Sequence, residues 1–429
     1  AFRDYTLFSE FGKLNYNYDG KYLAQFILRN DASSRFQSAS RSAIFPAFSL
    51  GWRVSDEAFM QNLEKVDELK LRYGWGKTGN QEIGDYNSYT TYRSNIFNAG
   101  YPIDGATGAP TLGFDVQSYG NPNAKWETTT SNNIGVDLSM FDRRFNIGLD
   151  LWDRITTDML FRRQITYTAG DAQAPFFNVG EMTNKGVDLQ ISWDDKKGDW
   201  GYGVSFNLSA YKNEVNKLSE TDDGTVLFGD ASRVPSLTIT EVGEPISSFY
   251  GFKTEGIFQS QAEADAWPTY GSYNAPGKLK VTDVNNDGQI DDDDRTIIGS
   301  PHPDFTYGVN IDVSYKNLAL NIFGNGSEGN DIYNYVRYFA DFNTFQGNRS
   351  KRALYDAWQP ANPSAPVSEW VAANPNATVP IMDANDQISS RPSSYFIEDG
   401  SYFRLKNVQL TYSFPSDLME KIGISRGQI

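Results

Sequence analysis

The sequence predicts an all-β chain, an antiparallel barrel that crosses a membrane on its strands. Three observations predict it. Apolar and polar residues alternate with period two over many segments, apolar faces end in aromatic residues, and short connections alternate with long ones. A soluble β-sandwich alternates as well, but it has no reason to keep every second connection short.

Taken in order, strands are expected near 5–18, 21–32, 43–53, 67–77, 125–140, 144–157, 182–194, 200–214, 304–315, 318–328, 401–414 and 422–429, about twelve in all. The first two flank Asp19-Gly20, a tight-turn pair. Residues 54–66 read as a short helix on the turn side, before a strand that carries Tyr73 and Trp75. NNIGVDLSM sets Ile134, Val136, Leu138 and Met140 against Asn133, Gly135, Asp137 and Ser139. The turn Phe141-Asp142-Arg143 leads into RFNIGLDL, which alternates likewise. NKGVDLQISW puts Val187, Leu189, Ile191 and Trp193 on one face, and a turn is expected from Asp194 to Asp199. GYGVSFNLSA follows. DFTYGVNIDVSY then carries Phe305, Tyr307, Val309, Ile311, Val313 and Tyr315 on its apolar side, ahead of a turn at Lys316-Asn317. FRLKNVQLTYSF changes parity between Leu405 and Val408, which a bulge would absorb.

Long polar segments at 78–124, 158–181, 215–303 and 326–400 join the other strand ends. Membrane barrels keep short turns on the periplasmic side and long loops outside. By that rule 215–303 and 326–400 are two extracellular loops. The terminal aromatics correspond to the interfacial girdles of such barrels.

Composition narrows the function. The chain has 429 residues and a formal net charge of −16, which argues against a nucleic-acid partner. It has no Cys and one residue of His, His302, so thiolate chemistry and the usual His-based catalytic and zinc arrangements are nearly excluded. The acidic pair Asp194/Asp195 lies in an expected turn, and no catalytic residue is assigned. His302, between Pro301 and Pro303, reads as a loop residue. No apolar run reaches the ~18–20 residues of a membrane helix, which leaves strand crossing untouched. The chain opens AFRDYTLF without an initiator Met, as a mature or incomplete chain would.

One stretch carries pointed chemistry. In DVNNDGQIDDDD, Asp283, Asn285 and Asp287 occupy the first, third and fifth positions of a calcium loop. Gly288 permits the turn, and Gln289 offers a backbone carbonyl. Asp291 supplies a carboxylate or a bridging water, and Asp294 closes the set. Ile290 is the apolar anchor. The competing reading is a solvated acidic turn. A structural Ca2+ is expected here, stiffening the loop; Asp at the closing position predicts a weak site, with Kd about 10⁻⁴ M or poorer. Loop aromatics Tyr89, Tyr92, Phe97, Tyr101, Trp267, Tyr270, Trp358 and Trp370 can stack on sugar or pack the loops, and no substrate-binding residue is assigned.

The chain resembles the barrel of SusC/RagA-like TonB-dependent outer-membrane transporters. The resemblance rests on FGKLNYNYDGKYLAQFILRNDASSRF, FPAFSLGWRVSDEAFM, LKLRYGWGKTGNQEIGDY, NPNAKWETTTSNNIGVDLSMFDRRF, NVGEMTNKGVDLQISW, GEPISSFYGFKTEGIF, GKLKVTDVNNDGQIDDDDRTIIGSPHPDFTYGVN and YFRLKNVQLTYSFP, in order. Ala32 departs from a common Gly. The resemblance implies a 22-stranded, plugged barrel in the outer membrane of a Gram-negative-type bacterium. It implies import of glycan or peptide fragments, energised by the TonB complex through a plug, with a SusD-like surface lipoprotein over the loops. The whole of 1–429 reads as barrel, roughly the tenth to twenty-first strands, with no plug domain and no final strand. The alternatives are a passive or structural outer-membrane barrel and a secreted calcium-dependent glycan-binding or glycan-cleaving β-protein.

Overall fold

The computed structural model describes all residues except 1–3, 95–96, 98, 102–104, 106–110, 163–167, 169, 220–225, 230–235, 343–346, 422 and 426. The chain divides into two compact units. One comprises Ala1–Thr225, Thr306–Asn325 and Arg404–Ile429; the other comprises Val226–Phe305 and Gly326–Phe403.

The first unit is built on an 11-stranded sheet in which every strand pairs with the next wall strand in the chain. The strands are Leu7–Tyr18, Tyr22–Ser33, Ser42–Arg53, Val66–Asn80, Glu127–Met140, Phe145–Arg162, Phe176–Lys197, Trp200–Lys217, Phe305–Tyr315, Leu318–Glu328 and Tyr402–Tyr412. The register lines up the apolar sets. Leu71, Val136, Leu149, Leu189, Leu208 and Tyr307 form one continuous row across neighbouring strands. The next row runs Leu69, Leu138, Ile147, Ile191, Phe206 and Val309.

Above these rows the same face turns polar along Asn132, Asp153, Lys185 and Lys212. Below, it ends in rings: Tyr22 stacks on Trp52 at 6.4 Å, Trp193 sits 6.0 Å from Phe145, and Trp200 lies 4.6 Å from Tyr315. From Trp200 to Ala210 this face stays apolar. At ~3.4 Å per residue and a tilt of ~40°, that is a band ~26 Å high, the thickness a membrane barrel presents to lipid. Ile134, Leu50 and Val204 are each about half exposed on it. A soluble protein does not leave so large an apolar face bare.

The opposite face is polar and internally bonded. Arg72 grips Asp137 (2.8 and 2.9 Å) and Asp150 (2.9 and 3.0 Å) from three strands. Asp188 accepts from Ser209 at 2.5 Å and from Trp152 Nε1 at 2.9 Å. Asn321 donates to Asn310 (2.9 Å) and Asp312 (2.8 Å). Gly135 leaves room for this cluster: a Cβ would lie 2.6 Å from both the Arg72 guanidinium and an Asp150 oxygen, so a larger residue would displace those side-chain ends. Arg72→Ala is expected to cost about 1–2 kcal/mol in urea unfolding, because two carboxylates then face each other without a cation. Asp150→Asn in that background should recover part of the loss, and no recovery would mean the pair does not repel.

The turns correct four expectations. The segment at 54–66 is not a helix but a 3-10 turn at Val54–Asp56 followed by linked turns. Phe59 and Leu63 are more than half exposed there, so a helix would have no apolar surface to pack. Instead Glu57 is held by Tyr22 Oη (2.6 Å) and Trp52 Nε1 (3.0 Å), which, led by the Tyr22 bond, keep its carboxyl below the usual range. The turn expected from Asp194 to Asp199 narrows to Gly198-Asp199: Asp194 and Asp195 belong to the ladder, opposite Gly203 and Tyr202. The strands at 145–162 and 176–197 run well into the expected 158–181 loop, with a register shift beside Asp158, whose φ is +57°. Among the described residues of 422–429 no wall strand forms: a helix occupies Ser416–Glu420, and Gly427–Ile429 return to pair with Tyr412–Phe414. Residues 422 and 426 of that expected strand lie outside the described residues. The Asp19-Gly20 and Lys316-Asn317 turns stand, both with left-handed Asp19, Gly20 and Lys316. Phe141, Asp142 and Arg143 are left-handed in succession, anchored by the Arg143 N–H on Asp67 at 2.8 Å.

The second unit holds most of the two long loops, and they fold together. Its larger sheet pairs Leu227–Phe228, Thr238–Thr240, Ser248–Phe252 and Arg295–Gly299. A ribbon joins Thr254–Ile257 to Leu279–Val281, and another joins Asp331–Tyr333 to Ile397–Asp399. Phe252, Tyr270, Tyr273, Val281 and Ile290 form one buried cluster; Ile257, Leu279 and Trp358 form a second.

Candidate functional site

The acidic loop lies in the second unit, between the strand Leu279–Val281 and a 3-10 turn at Asp292–Asp294. Asn286 (φ +61°) and Gly288 (φ +85°) are left-handed, which lets twelve residues close into one tight coil. Asp283 Oδ1 accepts the N–H of Asn286 at 2.6 Å, and Oδ2 accepts that of Gly288 at 2.9 Å. Asn285 Oδ1 takes the Asp287 N–H at 2.9 Å, and Asp287 Oδ1 takes the Gln289 N–H at 2.8 Å. Asp291 caps the 3-10 turn through the Asp293 N–H at 2.9 Å.

Asp294 is fully buried. Its Oδ1 accepts from Val284 at 2.7 Å and Oδ2 from Asp291 at 2.9 Å, so it ties the start of the loop to its end. Ile290 is buried beside Phe252 and Tyr270, as an apolar anchor should be. The backbone on either side of Gln289 is pinned to Thr269, from Thr269 N–H to Gly288 O (3.0 Å) and from Ile290 N–H to Thr269 O (2.7 Å).

All six motif residues therefore sit in one loop, with donors of the kind a hard cation takes. Among the described residues, no three His, Cys, Asp or Glu side chains are gathered as a metal cluster. The carboxylates are turned to backbone N–H groups, which shapes the coil but leaves the cage unclosed. The fit is one of donor type and spacing.

The other candidates resolve by packing. Trp267, Tyr270, Trp358 and Trp370 pack inside the second unit: Trp267 and Tyr270 join the cluster around Phe252, and Trp370 lies 6.3 Å from Trp358. Tyr89, Tyr92, Phe97 and Tyr101 are each about half exposed or more. His302 is a loop residue whose Nε2 lies 2.9 Å from the Ile246 carbonyl, which makes that nitrogen the donor.

Sequence reasoning passed over the ionic groups. Arg72 with Asp137 and Asp150 was visible only as inward positions of opposite charge. Lys278, bonded to Asp383 (2.7 Å) and Asp386 (2.9 Å), had no local signal. The Lys278 bond holds the Asp383 carboxyl below its ordinary range. Burial pushes the Tyr273 hydroxyl far up, and it donates or accepts at Ser389 across 2.7 Å.

Comparison with known proteins places this geometry. A family model described as "TonB dependent receptor-like, beta-barrel" matches residues 1–326. TonB-dependent receptor P3 of Formosa agariphila is 32% identical over 97% of the chain, and TonB-dependent receptor SusC of Bacteroides thetaiotaomicron is 30% identical over 95%. A solved structure of the RagAB peptide transporter superposes with a TM-score of 0.78 at 28% identity, covering 99% of the chain. The chain spans only 39%, 38% and 43% of those three proteins, respectively.

Proposed function

The chain belongs to the TonB-dependent receptor-like β-barrel family, is SusC/RagA-like and resides in the outer membrane; from that premise we propose that the protein imports nutrient fragments, oligosaccharide or peptide, under TonB control. A SusD-like surface lipoprotein is its partner in this reading, and the loops opposite the short turns are extracellular. The protein recognises and admits; it makes and breaks no covalent bond. One observation carries the reading: within an 11-stranded sheet, the pairing keeps a lipid-type apolar face and a polar, charge-bearing inner face in line across the six strands from Val66–Asn80 to Phe305–Tyr315. A secreted β-protein would have to cover that apolar face.

Native mass spectrometry of the protein extracted in detergent from its own membranes tests the import reading. A species far heavier than 48.1 kDa with a lipoprotein bound is the expected result. A lone 48.1 kDa chain would remove the importer and leave a passive barrel.

Asp283, Asn285, Asp287, Gln289, Asp291 and Asp294 are proposed to hold a structural Ca2+. Bound there, the ion would supply positive charge and rigidity to the acidic coil. Limited proteolysis reads this out: chelator, or Asp283→Ala with Asp287→Ala, is expected to raise cleavage within 271–300 while the sheet stays intact. Equal cleavage with and without chelator would leave only a solvated acidic turn.

A further inference from the structure

The second unit contains a cavity of about 910 Å³ between the segment Tyr270–Lys278 and the segment Ile381–Ile388. Its size is that of a small-ligand site. Trp370 lines it while packing on Trp358, so an indole is held rigidly at the wall. On the other side the run Asp383–Gln387 turns sharply: the Asn385 N–H donates to Asp383 Oδ1 at 2.9 Å, and Asp386 is drawn inward. Asp386 is fixed there by the N–H groups of Ile388 (3.0 Å) and Ser389 (2.9 Å) and by Ser389 Oγ (2.6 Å). That leaves Asn385 and Gln387 exposed at the rim, with the partly exposed Asp383 carboxylate beside them.

We propose that this cavity binds a neutral saccharide unit, with Trp370 under the sugar ring and Asp383, Asn385 and Gln387 on its hydroxyls. Three features select that class. An aromatic wall beside planar amide and carboxylate groups suits a ring with one apolar face and a belt of hydroxyls. Lys278, the cation among the lining residues, is bonded to two carboxylates and does not present a free charge to an anionic group. A peptide is held in extended form by backbone groups of an open strand edge. The rim here is a turn whose Asn385 N–H and Ile388 N–H are already bonded to side chains.

The site deepens the import reading and rests on it for its role, since it selects saccharide over peptide. Binding is measured directly on the full-length protein in detergent, by saturation-transfer NMR and tryptophan fluorescence. The probes are maltohexaose, cellohexaose, laminarihexaose and mannohexaose, with hexa-alanine as the peptide arm. At least one hexasaccharide is expected to bind, with affinity falling tenfold or more in Trp370→Ala. Asn385→Ala with Gln387→Ala, both at exposed positions, should weaken it at least fivefold without disturbing the fold. Absence of binding by all four saccharides overturns the proposal, as does binding indifferent to these substitutions or peptide binding that depends on them. TonB-dependent uptake assayed in parallel separates the readings: uptake that persists without saccharide binding at this cavity sinks the cavity alone.

Discussion

Ile191→Arg is expected to lower the folded fraction of the sheet in membranes sharply, while Gln190→Arg, one residue along, leaves it nearly unchanged. Ile191 sits in the apolar row between Ile147 and Phe206, near the middle of the band, and Gln190 points to the other face opposite Gly148 and Asn207. A cation on the lipid side at that depth costs about 2–4 kcal/mol, whereas a lumen-facing one keeps its water. Folded fraction in lipid, read by gel mobility without boiling and by urea titration, separates the two. Equal losses in both variants would mean that the faces are assigned wrongly. The pair is informative because the substitution is the same and only the side of the pleat differs.

Asp294→Ala is expected to open the acidic coil whether or not a cation is present. The carboxylate is fully buried and accepts backbone N–H bonds from both ends of the loop, at Val284 and Asp291. Bonds to a charged acceptor contribute about 1.5–3 kcal/mol each, and two are lost here, so a local loss of about 3–5 kcal/mol follows. Hydrogen exchange at the amides of Val284 and Asp291 should accelerate by two orders of magnitude or more. The acceleration should persist in chelator, which distinguishes this brace from the cation proposed to stiffen the loop. Exchange that speeds up only in the presence of calcium would mean that Asp294 acts through the ion alone and does not brace the coil.

The acidic motif illustrates how far local pattern carries. Spacing alone located the coil, its left-handed Gly288 and its buried anchor Ile290, all of which the structure contains. It did not foresee that Asp294 would be spent on backbone N–H groups. That depends on how the following 3-10 turn folds back, and the side-chain list is the same either way. The stretch 54–66 failed for a related reason. Its composition suits a helix, yet at a strand crossing no apolar surface faces it, and Glu57 is claimed by Tyr22 and Trp52 from neighbouring strands.

Asp194 and Asp195 show the opposite error. Charge suggested a turn, but at the edge of the apolar band polar residues extend the ladder, where Asp195 meets Tyr202 Oη at 3.0 Å. The end of a strand is set by where pairing stops, not by where hydropathy falls.

Period two is chemistry between near neighbours, so the two faces, the aromatic ends and the order of the wall strands can be read from the residues in line. Strands joined by a short turn then pair because the turn leaves them no other partner, those joined by a long loop take the open edge of the sheet, and register follows from matching apolar rows. The second unit obeys no such rule. Lys278 meets Asp383 and Asp386 across more than a hundred residues, and Tyr270 meets Arg391 at 2.7 Å across a similar gap. Residues 226–305 and 326–403 each look irregular and polar in line. Only when both segments return to the same place do Trp358, Leu279 and Ile257 exclude water together. That burial, and the cavity beside it, is a property of the assembled pair of segments, because neither one alone has the apolar area to enclose it.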